Sequence, residues 1–204
     1  FITAYFGVFI SLIADTASII IGGAEYKNAS MVITVMALLP LHQTYGQLAG
    51  AVLLANENTK IIRNIGVSTG LIGLLISYLL LMPAEHYGFE MGAIGLAIKM
   101  LLTQFILVTI YLWFTTRFLN LSFYKFLGHQ ILVIALLLML TKFSQHLTAF
   151  ITTHILINFL ISGVIYTVFV LMLIIIYPRI IVMTRRDFNH YVNMTLGFIK
   201  NRLH

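Results

Sequence analysis

The sequence predicts an all-α polytopic membrane protein with about six transmembrane helices, and three observations support this fold class. Of the 204 residues, 60% are hydrophobic and 9% are charged, with a mean hydropathy of +1.01, whereas a soluble domain carries about 25% charged residues. Several apolar runs reach the roughly 20 residues that a helix needs to cross the membrane. These runs do not alternate between apolar and polar residues as transmembrane β-strands do.

Six predicted helices, named A to F, are separated by short connectors. The A–B connector (22–30) holds glycine and polar residues, the B–C connector (56–64) is polar and basic, and the C–D connector (83–90) begins with proline and suits a turn. The E–F junction near 144–154 is the least clearly marked. The predicted spans are A 1–21, B 31–55, C 62–82, D 91–116, E 127–148 and F 157–182.

The distribution of lysine and arginine predicts the orientation. Nine of these residues fall in the B–C and D–E loops and the tail, whereas two, Lys27 and Lys142, fall in the A–B and E–F loops. Because cytoplasmic loops carry the excess of positive charge, the first set is expected in the cytoplasm. The start of helix A and the C-terminus then lie on the cytoplasmic side.

The sequence lacks the motifs that are typical of several classes of enzyme and of metal sites. The chain has no cysteine, no HExxH, no GxSxG and no GxxxxGK, so we expect neither catalytic residues nor a cofactor. His42 has no second histidine or acid at ligand spacing, which argues against a metal site. The basic residues lie between apolar runs, so the expected partner is membrane lipid rather than nucleic acid. Because the chain begins with Phe1 inside an apolar run, we expect a piece of a longer protein.

Lys99 is a full positive charge inside predicted helix D. Gly92, Gly95, Lys99 and Thr103 recur every three or four residues and therefore share one face of the helix. A lysine at this depth costs roughly 2.5–3.5 kcal/mol on insertion scales unless it meets water or an anion. Two interpretations remain: a cation that faces a water-filled pathway, or a lysine that snorkels to the outer interface.

Asp15 is the one acidic residue inside a predicted span. It belongs to a second stripe of small and polar residues along helix A, and its depth is similar to that of Lys99. An ion pair between Asp15 and Lys99, with a structural role, is one interpretation. A proton or sodium site that couples transport to an ion gradient is the other.

Helix B has a polar middle, PLHQTYGQLAG at 40–50. Pro40 is expected to kink the helix and to free a carbonyl group. Gln43 and Gln47 share one face, which indicates either hydrogen bonds between helices or the lining of a polar cavity. Gln104, in helix D, lies one position off the Lys99 stripe.

The C-terminal segment 184–204 combines basic residues with apolar residues at near-helical spacing. This pattern predicts a basic amphipathic helix on the cytoplasmic leaflet. A solvated chain end is the alternative interpretation.

Part of the sequence resembles a transporter family. LPLHQTYGQLAGAVLLANENTKIIRNIGVSTGLIGL, followed by GFEMGAIGLAIKMLLTQ, resembles the later half of Wzx-type polysaccharide (O-antigen) flippases of the multidrug/oligosaccharidyl-lipid/polysaccharide exporter superfamily. Three features carry the likeness: GGAEY at 22–26, ANENTK at 55–60 and the lysine-bearing GAIGLAIKM at 92–100. The likeness extends over 22–120 and is only topological over 121–204.

The resemblance implies a fold, a location and a substrate. The family fold is two six-helix bundles around a cavity, with two additional helices in some members, so this chain would supply helices nine to fourteen of a larger two-bundle transporter. Residues 1–120 would then hold four helices of the second bundle and 121–183 the additional pair. The implied function is translocation of a lipid-linked oligosaccharide, on polyprenyl pyrophosphate, across the inner membrane for polysaccharide biosynthesis. A polysaccharide polymerase and assembly proteins are implied partners.

Within this hypothesis, specific residues take specific roles. Lys99 would anchor the anionic head group, Gln43, Gln47 and Gln104 would contact sugar, and Asp15 would couple transport to an ion. Two alternative functions remain open at this point: a cation-coupled multidrug antiporter of the same superfamily, and a membrane scaffold subunit that transports nothing.

Overall fold

The computed structural model describes residues 1–151 and 154–187, together with 190 and 194. Over these residues the chain is helical and contains no β-strand, which confirms the all-α class. Short 3₁₀ turns at Ala24–Ala29, Ala84–His86 and Pro178–Ile181 connect or follow the α-helices. The α-helices are α1 Ile2–Leu12, α2 Ala14–Gly22, α3 Ser30–Ala55, α4 Thr59–Leu81, α5 Gly92–Phe118, α6 Phe123–Ala149 and α7 Ile155–Ile176.

The predicted helices B to F correspond to α3 to α7, and most of their ends agree within a few residues. Helix F is the exception, because α7 ends at Ile176 rather than at 182. Pro178 explains the difference, since the residue before a proline is pushed out of the α-helical region. Tyr177 accordingly has φ −133° and ψ 73°.

Helix A is not one straight span, and the prediction over 1–21 was wrong in this respect. The axes of α1 and α2 differ by 79°, with the break at Ile13. Ile13 leaves the helical region with φ −108° and ψ 18°. Asp15 follows in the first turn of α2, where the partial positive charge of the helix N-terminus stabilises a carboxylate.

Helix α3 lies between α5 and α1, and small residues allow its close approach to both. A Cβ atom on Gly7 of α1 would lie 2.5 Å from the carbonyl oxygen of Ala37, and one on Gly46 would lie 2.5 Å from a methyl group of Val108 on α5. Such close approach increases the van der Waals attraction between the helices. This matters in a bilayer, because burying apolar surface there contributes little to helix association. Helix α3 continues through Pro40 without a break.

The larger hydrophobic core joins four helices. Ala4 and Val8 of α1, Leu41 of α3, Leu137 of α6 and Tyr166 of α7 are buried in one cluster. A smaller cluster between α3 and α5 holds Ala49, Val108 and Leu112. Helix α4 packs mainly along α5.

The predicted boundary between two groups of helices at residue 120 can be compared with this packing. The larger cluster contains residues from 1–120 and from 121–183, because α1 packs on α6. The two segments therefore share a core here. Their assignment to a second bundle and an additional pair stays a prediction.

Four helices, α4, α5, α6 and α7, are long and apolar enough to cross a membrane, and the α1–α2 pair makes five if it counts as one broken span. Helix α3 is not among them, because the polar residues of PLHQTYGQ at 40–47 lower its hydropathy. Large apolar side chains are exposed along the helices, including Leu74 and Leu75 at 67% and Met139 at 69%. This is a multi-pass membrane protein with four or five candidate spans.

Two further sequence expectations concern basic residues. Lys142, counted with the E–F loop, instead lies inside α6, seven residues before its end, and is exposed. Most of the basic tail predicted over 184–204 lies outside the described residues.

Candidate functional site

The seam between α3 and α5 sets the position of the predicted glutamines. His42 stacks on Phe105, with ring centroids 4.7 Å apart. The Thr115 hydroxyl donates to the Ala49 carbonyl at 3.1 Å. Residue numbers rise together on the two helices from the first contact to the second, so α3 and α5 run parallel.

From this register we infer that Gln43 and Gln104 lie on the same flank of the seam. A Cβ atom on Gly50 would lie 3.7 Å from the ring of Tyr111, which marks one flank of the seam. Gln43 and Gln104 each precede these residues by seven positions, and two helical turns return a residue to nearly the same face. Two of the predicted substrate-binding residues therefore share one flank at the same level.

The flank continues along α3 and becomes more exposed at Gln47. Gln47 follows Gln43 by one turn and is exposed, whereas Gln43 and Gln104 are half-buried. Leu41 and Thr44 of the same helix instead face α1. Within the described part of the chain, none of the three glutamine side chains makes a hydrogen bond. We call Gln43, Gln47 and Gln104 the glutamine face.

Lys99 lies on a different side of α5, against α4. A Cβ atom on Gly73 would lie 3.7 Å from Cε of Lys99 and 3.3 Å from a methyl group of Thr103. Gly95, Lys99 and Thr103 of the stripe identified from the sequence thus form part of the α4–α5 interface, where Gly73 leaves room for the lysine stem, whereas Gly92 has no neighbour within 4 Å of its Cβ position. Lys99 is half-buried, and its ammonium has no hydrogen-bond or ion-pair partner among the described residues.

Asp15 is exposed in the first turn of α2, and its carboxylate has no ion pair in the described ranges. The hypothesised ion pair between Asp15 and Lys99 is therefore absent from this structure. The physical reason is placement, because α2 packs on α3 and α7 while Lys99 faces α4. Neither charge is neutralised by the other.

A buried polar network that the sequence did not predict joins α3, α5 and α6. The Gln130 amide nitrogen donates to Nδ1 of His42 at 2.9 Å, and Nε2 of His42 lies 3.4 Å from the Thr109 hydroxyl. Because Nδ1 accepts, Nε2 carries the ring proton and points to Thr109. His42 is 5% exposed and Gln130 is 9% exposed. The network therefore links the three helices from within the protein. Gln130 stands in a largely apolar helix, which left little signal for the pairing.

The break between α1 and α2 is held by side chains from other helices. The Gln145 amide of α6 donates to the carbonyl oxygen of Leu12 at 3.1 Å. The Thr34 hydroxyl of α3 donates to the carbonyl oxygen of Ser11 at 3.2 Å. Irregular backbone at membrane depth requires such partners, because an unsatisfied carbonyl costs several kcal/mol in hydrocarbon.

Comparisons with known proteins identify no relative. No family model matches the chain, and no curated protein and no solved structure matches it. In the part of the chain that the structure describes, no group of three or more histidine, aspartate or glutamate side chains is placed to hold a metal ion.

Proposed function

We propose that the chain is part of a flippase that moves a lipid-linked oligosaccharide, carried on polyprenyl pyrophosphate, from the inner to the outer leaflet of the cytoplasmic membrane. The supporting observation is the glutamine face, a row of amide side chains along the α3–α5 seam that make no hydrogen bond within the described residues. The sequence resemblance supplies the substrate class. The C-terminus is cytoplasmic in this proposal, as the positive charge distribution favours.

Amide side chains that lack hydrogen bonds need polar neighbours inside a membrane. A polar group left without a hydrogen bond in hydrocarbon is strongly disfavoured, so the glutamine face must meet water, a second polar helix surface or cargo. Glycan hydroxyl groups both donate and accept hydrogen bonds, and so do amide side chains. Gln43 and Gln104, at one level, would hold a sugar ring, and Gln47 would hold the next group along α3.

Lys99 supplies the positive charge that a pyrophosphate requires. Its ammonium has no anionic partner in the described part of the chain, so its charge is available to an anion that enters beside α4 and α5. The lysine lies on another side of α5 from Gln104, and the head group would therefore meet charge and amides on separate surfaces. Alternating access would carry the head group across while the prenyl tail stays in lipid.

Asp15 is the proposed ion-coupling residue. It stands at the start of α2, directly after a break in a candidate span, and transporters use the unwound backbone of such discontinuous helices to coordinate coupling ions. Proton or sodium entry there would bias the angle between α1 and α2. A polysaccharide polymerase and assembly proteins would receive the exported glycan.

The test uses cells that lack the full-length protein and accumulate lipid-linked glycan in the inner leaflet. Wild type should restore export, and Lys99→Ala should lower it about 30-fold or more, because removing one partner of a desolvated charge pair costs about 2 kcal/mol or more. Lys99→Arg should retain part of the activity. Lys142→Ala is the matched control, since it removes an exposed lysine from inside another helix.

Membrane abundance of each variant must be measured in the same cells. Export by Lys99→Ala at the wild-type level, with equal abundance, would refute the anchor role. Export of a cationic drug with no effect on glycan would favour the antiporter. Loss of polysaccharide with flipping intact would favour the scaffold.

A further inference from the structure

A cavity of about 180 Å³ lies on the opposite side of α3 from the glutamine face. It is partly open and is lined by the start of α1, the middle of α3, the first turns of α6 and the 3₁₀ turn that follows α7. Leu41, Val133 and Ile180 form part of its wall and belong to the larger core cluster. The cavity is therefore built into the fold rather than lying on a loop.

One wall carries a buried hydrogen-bond acceptor. Gln130 lines the cavity and is 9% exposed. Its amide nitrogen is engaged by His42, which fixes the plane of the group, and its carbonyl oxygen has no partner within the described residues. Because no fully buried side-chain polar atom lacks a partner in that part of the chain, this oxygen is not fully buried. We infer that it faces the cavity that Gln130 lines.

The rest of the lining defines what the acceptor can bind. Thr3 and Thr44 place two hydroxyl groups 3.4 Å apart at the α1–α3 side, and the remaining wall is mostly aliphatic, with Ile134 and Leu48 among its members. The lining contains no lysine, arginine, aspartate or glutamate. Its titratable side chains are Tyr45 and His129, and Nε2 of His129 lies 3.4 Å from the carbonyl oxygen of Arg179. A charged ligand would lose its hydration without compensation, so the occupant is neutral.

Size and polarity together favour an amphiphile over water. The volume would take about six waters at 30 Å³ each, but each buried water needs two to four polar partners, and the aliphatic wall does not supply them. An apolar cavity of about 150 Å³ binds benzene, so this one admits a slightly larger molecule. Its apolar body would fill the aliphatic part, and one hydroxyl group would face Gln130.

We propose that this cavity is a binding site for a small neutral alcohol, whose hydroxyl donates to the carbonyl oxygen of Gln130 and whose apolar body packs against Leu41, Val133 and Ile180. The site is distinct from the glutamine face and does not depend on the transport proposal.

Two photoactivatable probes test the site in the full-length protein in lipid nanodiscs: a diazirine analogue of octanol and the matching diazirine alkane. Peptide mapping should find the alcohol attached to the cavity wall, with labelling reduced by excess octanol. The alkane should label the wall less, by roughly two- to tenfold, since one hydrogen bond contributes about that factor. Ile134→Phe, which fills the cavity, should abolish labelling.

Matched variants separate binding from general damage. Leu132→Phe changes an exposed position on the same helix and should leave cavity labelling unchanged. Gln130→Leu should lower alcohol labelling to the alkane level. His42→Leu removes the same Gln130–His42 bond but keeps the acceptor, and should retain the preference for the alcohol.

Three outcomes would overturn the proposal. Equal labelling of the wall by alcohol and alkane would remove the role of Gln130. Persistent labelling in Ile134→Phe would place the probe elsewhere, and labelling confined to lipid-facing residues such as Leu132 would show bilayer partitioning only.

Discussion

The approach of α1 to α3 at Gly7 gives the sharpest stability prediction. A Cβ atom at this position would lie 2.5 Å from the carbonyl oxygen of Ala37, whereas ordinary contact begins at 3.4 Å. Gly7→Ala therefore forces the two helices apart by about 0.9 Å, because the obstacle is backbone and cannot rotate away. A gap of 0.5–1 Å forfeits a quarter to a half of each dispersion contact, and overpacking of this kind costs about 1–3 kcal/mol.

Glycines elsewhere in the chain provide matched controls. Nothing lies within 4 Å of a Cβ atom built at Gly66 or Gly70 of α4. Gly→Ala there adds helix propensity of up to about 1 kcal/mol in the absence of a clash. Gly46→Ala is an intermediate case, since the obstacle is a side-chain methyl group of Val108, which shifts more easily than backbone although a helical valine has one strongly preferred rotamer.

Thermal unfolding of the purified full-length variants in one detergent checks this ordering. Gly7→Ala should unfold at the lowest temperature, Gly46→Ala between it and wild type, and Gly66→Ala at or above wild type. A Gly7→Ala protein as stable as Gly66→Ala would mean that α1 does not pack on α3 as described.

Three further predictions use the same assay. Gln145→Leu should destabilise the protein by about 1–3 kcal/mol, since it leaves the Leu12 carbonyl at the break without its donor; no change in unfolding temperature would contradict that role. Tyr166→Phe should cost about 0.6 kcal/mol, and at most about 1.7, by removing the 3.0 Å bond from its hydroxyl to the Tyr5 carbonyl; a larger loss would indicate altered packing. Val182→Gly should stabilise the protein by up to about 1 kcal/mol, because Val182 has φ 61°, a region that disfavours β-branched residues. A lower unfolding temperature would show that the valine side chain contributes packing there.

Local pattern grouped candidate residues by helix face, but it could not give their neighbours. Gln43 and Gln47 were assigned to one face from spacing alone, and their role as a binding site stays a prediction. Spacing likewise grouped Gly95, Lys99 and Thr103 correctly, yet it did not indicate that this stripe meets Gly73 of α4. A helical repeat states which residues share a face, whereas the neighbour of that face depends on packing.

The sequence alone determined the class of the protein and the limits of most helices. Hydropathy and turn residues are local properties, so long apolar runs with polar connectors specify membrane helices wherever they pack. Tertiary structure decided the break at Ile13, the separation of Asp15 from Lys99, and the joint between His42 and Gln130, which lie 88 positions apart. Each of these depends on hydrogen bonds or close contacts between distant segments, and the preference of one segment carries no information about the partner that satisfies it.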